Sequence, residues 1–391
     1  MCERPPESSV SHIRFNSVFR FGSILGAIGA ALNPGRIGIA MFTLALLVGG
    51  GRIWDAVSTS SDTTDVRPFN YVVEQTEQFG TSLVTATRNA EPTAFASAVQ
   101  SFLWDLPSTL WTNGNALFVI LFGIWTAAVL AFGGGLLCRL EAVGKASQDR
   151  EPLAPAMAMV ISRWTAFFGA LVMPLVLAGV LAFIAMLFGL LFFSLPVIDV
   201  LGGLFYGVAL VLGLGVALLL LGFAVSCPLL LPAVATENCD GPDAMHRAIA
   251  YIVARPLRWL LYLFTILLGL AMGLLLVVTV SKLTLYVTGS LVDQWAFGES
   301  ISHATAAMDG TNSADAVWHT QWAGGLVAFW MGLVQWIVAG WSLAYVMSAS
   351  TRAYLLLRLS CDGQDEREIW WPGLIRGTLA PEPPSPLDRA E

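Results

Sequence analysis

Charge is scarce in this chain: Asp, Glu, Lys and Arg together make up 12 % of its 391 residues, about half the share in a soluble domain. With 56 % hydrophobic residues and a mean hydropathy of +0.70, a water-solvated globule is excluded as the main architecture. Basic residues are fewer still, 20 against 27 acidic, for a net charge of −7. Neutralising nucleic-acid phosphates takes clustered Lys and Arg, and no such stripe occurs, so no nucleic-acid partner is expected. The five cysteines, Cys2, Cys138, Cys227, Cys239 and Cys361, are odd in number and form no CxxC pair. They read as free thiols, neither a disulfide framework nor a zinc site. HExxH, GxSxG and P-loop patterns are all missing, so neither an enzyme nor a cofactor is expected. No cleavable signal is read either, because the first 36 residues are polar to amphipathic and the first long apolar run begins near Ile37.

What the chain has instead is long apolar runs. Six of them, at 37–57, 115–138, 164–193, 201–226, 259–281 and 322–348, exceed the roughly 18 residues needed to cross a bilayer. The expected fold is an all-α polytopic transmembrane bundle of six spans with short amphipathic elbow helices. It divides into an amphipathic N-terminal segment (1–36), a membrane domain (37–350) with external loops at 58–114 and 282–321, and a cytoplasmic tail (351–391). Sixteen of the Lys and Arg residues fall in 1–36, 139–163, 236–258 and 351–391, against three in the other connections. By the positive-inside rule this places both termini in the cytoplasm, with the protein in the cytoplasmic membrane and the lipid bilayer as its first partner. Other membrane proteins are conceivable partners.

Several segments carry finer expectations. Phe15, Val18, Phe21, Leu25, Ile28 and Leu32 form one stripe opposite Asn16, Arg20 and Ser23, the pattern of an in-plane helix. Asn33, Pro34 and Gly35 stop it. In the first external loop Pro92 can open and Pro107 end a short helix. That piece can lie against the membrane surface, where Trp104 and Trp111 fit, and is read as packing against the bundle in preference to acting as a ligand lid. His303, Asp309, Asp315 and His319 share the second loop, and a solvated loop is the favoured reading over a metal site. Span four carries Gly202, Gly203, Gly207, Gly213 and Gly215, and span five the run GLAMG from Gly269 to Gly273. Small residues so placed let helices approach closely in lipid.

One polar interlude stands out, ATENCDGPDAMHRAIAYIVARPLRW at 235–259. Asp240 or Gly241 caps a helix whose first turn holds Pro242 and Asp243. Met245, Ile249, Ile252 and Val253 share a face, and Pro256 ends the helix before Trp259 opens span five. The expectation is an elbow lying on the membrane, its charges the polar rim of a turn, with Glu237 and Arg247 as an ion pair in preference to an acid–base couple. Similar acidic turns follow spans two and six, where Cys361-Asp362-Gly363 echoes Cys239-Asp240-Gly241. They suggest a three-fold repeated two-helix hairpin.

The run of Pro232, Glu237, Asn238, Gly241, Asp243, Ala244, Arg247, Ala248 and Tyr251 between two spans resembles the elbow of a family of six-helix bacterial integral membrane proteins. Some members are the membrane domain attached to certain glycerophosphodiester phosphodiesterases; others stand alone. The resemblance covers roughly residues 120–370 and implies fold and topology. It does not carry catalysis: the family's usual Ser after the Arg is Ala248 here, and no phosphodiesterase domain follows.

Ion-coupled transporters keep ionisable groups inside their spans, and the six runs hold almost none away from their ends. Gln335, beside Trp336, is the main deep polar side chain, read as an interhelical hydrogen bond in preference to a substrate contact. The candidate elbow or cavity residues are therefore Glu237, Asp240, Asp243, Arg247 and Gln335. A non-enzymatic scaffold or membrane-organising component is the expected function; a transporter for a small or lipid-like solute, using Pro174, Pro228 and Pro232 to break helices, is the alternative.

Overall fold

The structure, a computed structural model, describes residues 21–58, 67–89, 91–147, 152–194, 198–293 and 318–381. Among these every regular element is helical, apart from an isolated bridge between Leu374 and Pro381. In hydrocarbon a backbone must satisfy its own hydrogen bonds, and six helices are long and apolar enough to cross a membrane.

Two short turns, α1 (Gly22–Leu25) and α2 (Ala27–Ala31), precede the first span, α3 (Pro34–Ser58). Beyond it lie α4 (Pro68–Asn89), α5 (Pro92–Gln100) and the single turn α6 (Leu106–Leu110). The second span is α7 (Ala116–Ser147), reached through a kink at Asn113 and Gly114. A first elbow helix, α8 (Leu153–Ser162), leads to the third span, α9 (Trp164–Phe193). Next come α10 (Ile198–Leu204) and the fourth span, α11 (Tyr206–Glu237). The second elbow helix, α12 (Gly241–Ala254), precedes the fifth span, α13 (Pro256–Asp293), and the sixth is α14 (Trp318–Asp362).

The expected bounds need correction at most ends. Span four runs on from 226 to Glu237, through Pro228 and Pro232, because proline is tolerated in a spanning helix whose neighbours re-satisfy the backbone groups it frees. Helix α13 extends to Asp293 and α14 to Asp362, so the first residues of the second loop, expected at 282–321, and the start of the tail are helical. The first external loop is largely helical too. There Asp55, buried at the end of α3, accepts from the backbone N–H of Phe69 at 2.9 Å and of Asn70 at 3.2 Å, which caps α4. Phe69, Leu110 and Phe118 form a small core beneath it.

Successive spans pair as three hairpins, α3–α7, α9–α11 and α13–α14, in keeping with the repeat seen in the elbows. They converge at the end that carries the arginines, called here the elbow end. Buried residues of α9 stop at Ala178, those of α11 begin at Val216, and those of α13 stop at Gly273. Lipid tails are as apolar as leucine, so hairpins are held by close packing and polar bonds and not by removal from water. The main core accordingly sits where the polar residues are. It includes Phe167, Leu229, Leu230, Trp259 and Trp341.

Two small-residue expectations separate here. At Gly269 an added Cβ would collide with the Tyr345 hydroxyl, and at Gly273 with the Trp341 ring; these two rings stack with centroids 5.4 Å apart. By contrast Gly203, Gly207 and Gly213 face open space. Gly273→Leu is therefore expected to lower the melting temperature of detergent-solubilised protein strongly, by overpacking worth about 1–3 kcal/mol, while Gly213→Leu leaves it unchanged. Equal effects from the two would refute this packing.

The N-terminal helix also departs from its expected surface role. Its face toward α13 and α14 is Ile24, Ala27 and Ala31, all fully buried, whereas Leu32 of the predicted stripe is exposed. Phe21 and Ile28 of the stripe pack partly buried against the same core, and Leu25 lies against Gly269 of α13. Phe15 and Val18 lie outside the described residues.

Candidate functional site

At the elbow end two buried carboxylates each lie between two arginines. Helix α7 places Glu141, 2 % exposed, between Arg36 at the start of α3 and Arg352 of α14. Its Oε2 pairs with Arg36 Nη1 and its Oε1 with Arg352 Nε at 2.5 Å. Arg36 also donates to Leu140 O at 3.1 Å, and Arg352 to Ser23 O at 2.7 Å. This single carboxylate joins spans one, two and six to the N-terminal helix.

Glu237 closes α11. It is buried because Asn238 takes a left-handed conformation, φ 54°, which stops the helix and turns the chain into α12. Its Oε2 pairs with Arg247 Nη1, and its Oε1 accepts from the Tyr354 hydroxyl at 2.5 Å and lies 3.9 Å from Arg358 Nη1. Arg358 is fully buried and donates to the backbone carbonyls of Asp365, at 3.0 Å, and Glu368. Burial disfavours the charge on Arg247, yet Glu237, Tyr354, Cys239 and Tyr251 around it together more than offset that and raise its pKa.

The expected tail is a lid instead. Residues 363–381 fold back over the end of α11, whose last carbonyls have no partner in the helix. Trp370 N–H donates to Thr236 O at 2.7 Å and Gly377 N–H to Glu237 O at 3.2 Å. Arg139, almost fully buried, donates to both Ala235 O and Trp370 O at 3.1 Å and lies 5.4 Å from the Trp371 ring centroid. Arg247 reaches Gly377 O at 3.1 Å. The elbow is thus no polar rim: its central charges face inward.

Of the five residues singled out from sequence, Glu237 and Arg247 meet as expected. Asp240 stands at the N-cap of α12, but its side chain, 72 % exposed, bonds Arg163 at 2.6 Å and makes no cap. Asp243 and His246 are exposed on the same helix. Glu237, Asp240 and His246 point into different surroundings and do not converge. The inward face of α12 is Gly241, Ala244, Ala248 and Tyr251, with Val253 turned out at 72 % exposure. It is rotated from the predicted apolar face because α12 lies close on α9: a Cβ at Gly241 would meet the backbone of Gly169 and Ala170 at 2.7 Å. Gln335 is exposed and roughly 25 Å along α14 from Arg352 at about 1.5 Å per residue; the structure does not bring it to the elbow and gives it no interhelical hydrogen bond. His303, Asp309 and Asp315 lie outside the described residues, among which no metal-holding group of side chains occurs.

Sequence reasoning missed Arg36, Arg139, Glu141, Arg352, Tyr354 and Arg358. One signal was available, namely charge embedded in apolar helix, as in TRAYLLLRL at 351–359, which in a spanning segment marks a functional position.

Among the described residues Cys138, Cys227, Cys239 and Cys361 are free thiols, as expected; Cys2 lies outside. Burial, together with the nearby Glu237, pushes the Cys239 thiol up to about 12. Because that value is raised on folding, its contribution to stability is complete below the ordinary value of 9.0 and is lost as pH rises toward 12. Burial and the Asp362 hydrogen bond shift Tyr251 in the same direction. At neutral pH Cys361 is expected to react with a maleimide while Cys239 stays unmodified until the protein is denatured. Labelling of Cys239 in the folded protein would contradict this burial.

Six apolar spans, three hairpins and an ion-paired elbow end define a multi-pass helical membrane protein. No protein-family model matches the chain, and no curated protein and no solved structure matches it.

Proposed function

We propose that the protein is a non-enzymatic scaffold or membrane-organising component of the cytoplasmic membrane, with both termini on the cytoplasmic side. The observation that carries this reading is the sealed elbow end. Two buried carboxylates, four arginines and a folded-back tail tie all three hairpins into one platform, from which α9, α11, α13 and α14 project apolar faces that cover no other part of the described structure. Leu218, Leu276 and Phe329 are all well exposed on those faces, and such surfaces suit lipid or the helices of another membrane protein. The elbow's resemblance to the six-helix bacterial family supports the same reading. A photo-crosslinking residue at each of these three positions in native membranes is expected to give discrete protein adducts. Adducts with lipid only, together with solute flux in proteoliposomes, would replace the scaffold with the transporter. The orientation predicts that Cys361 reacts in intact cells with a permeant but not an impermeant thiol reagent; reaction with the impermeant one overturns it.

A further inference from the structure

We propose that the elbow end holds a site for an anionic phosphate group, supplied by the headgroup of a membrane lipid. A cavity of about 410 Å³ opens where α2 gives way to α3, between the Leu32–Pro34 break and the last turn of α7. Its lining joins Arg36, Glu141, Lys145 and Arg352 to the apolar Ala30 and Leu32. Both oxygens of Glu141 are already taken, one by each arginine. Two guanidiniums on one carboxylate leave a positive charge over, and a charge out of water is expensive unless paired.

Lys145 adds a further cation to the cavity wall. It is 30 % exposed, and its contact with Glu366 is long, at 3.6 Å, so its ammonium is held loosely. Arginine and lysine side by side match phosphate chemistry. The cavity lies at the first residue of span one, the depth of a lipid headgroup, and Leu32, 47 % exposed at its mouth, offers apolar surface to an acyl chain. Basic pockets between spanning helices hold anionic headgroups in this way. The inference rests on the membrane placement of the spans and not on the scaffold reading.

The test uses the full chain in mild detergent and native mass spectrometry, with phosphatidylglycerol and phosphatidylcholine added in equal amounts. Phosphatidylglycerol is expected to be retained preferentially, and Lys145→Glu to reduce that retention about fivefold or more, since each basic residue near a lipid surface contributes on that order. Glu366→Gln, which releases Lys145 from its only carboxylate contact among the described residues, is expected to raise retention, a change that mere destabilisation would not produce. Lys282→Glu, remote on α13, serves as the control and leaves it unchanged. Equal retention of the two lipids, or indifference to both Lys145→Glu and Glu366→Gln, overturns the site. Protection against heat by inorganic phosphate alone, lost in Lys145→Glu and unaccompanied by lipid preference, overturns the lipid as its source.

Discussion

Glu237→Ala is expected to be the most damaging single substitution in the described structure. It removes the carboxylate that faces Arg247 and the fully buried Arg358 and strips the Tyr354 hydroxyl of its acceptor. Removing one partner of a buried ion pair is destabilising by about 3–5 kcal/mol, because the other charge remains where water cannot reach it. Arg247 is about one-third exposed and recovers part of its solvation, so Arg358 dominates the loss even though its contact is the longer. Glu237→Gln keeps an acceptor for Tyr354 but not the charge, and falls between. Tyr354→Phe removes a single hydrogen bond and is worth about 1 kcal/mol. Thermal unfolding in detergent with lipid held constant measures all three. If Glu237→Ala melts with the parent protein, the buried pairing described here is wrong.

Truncation after Asp362 is the second large effect. It removes the N–H groups of Trp370 and Gly377 that serve the end of α11, and the carbonyls of Trp370 and Gly377 that receive Arg139 and Arg247. It also uncovers Val143 and Leu355, which Ile369 packs upon. With the carbonyls of Asp365 and Glu368 that receive Arg358, six hydrogen bonds at about 1 kcal/mol each place the loss near 6 kcal/mol before the apolar contact is added. Because all of these bonds lie at one end, amide exchange is expected to accelerate over residues 231–237 and not in the outer half of α13. Uniform acceleration, or none, would show that the tail does not close this end.

Which parts of this were legible beforehand follows from the distance over which each signal acts. Span three was readable to the residue, at 164–193, because Arg163 precedes a long apolar run that Ser194 and Pro196 break just after Phe193. The Glu237–Arg247 pair was readable because both partners sit in one elbow. Glu141 was not, since Arg36 and Arg352 come from 105 and 211 residues away and nothing local announces them. The lid was harder still. It is stitched by backbone groups of Trp370 and Gly377, which every residue but proline possesses, so composition has no purchase on it. Only the glycines at 363, 373 and 377, all with positive φ, hinted that the segment turns back on itself. The face of α12 was misjudged because pattern reading follows bulky side chains, whereas a helix packed this closely turns Gly241, Ala244 and Ala248 inward.

The lid has a consequence for biogenesis. Residues 363–381 leave the ribosome after all six helices have been handed to the membrane, yet they complete the surroundings of Arg139 and Arg358, which lie in the second and sixth of those helices. A chain released before this segment would carry all six helices yet remain unsealed, with hydrogen-bonding groups bare at one end. Closure of this end is therefore set by a segment translated after all six helices, and a product that stops short of it should be one that quality-control proteases can tell from the sealed form.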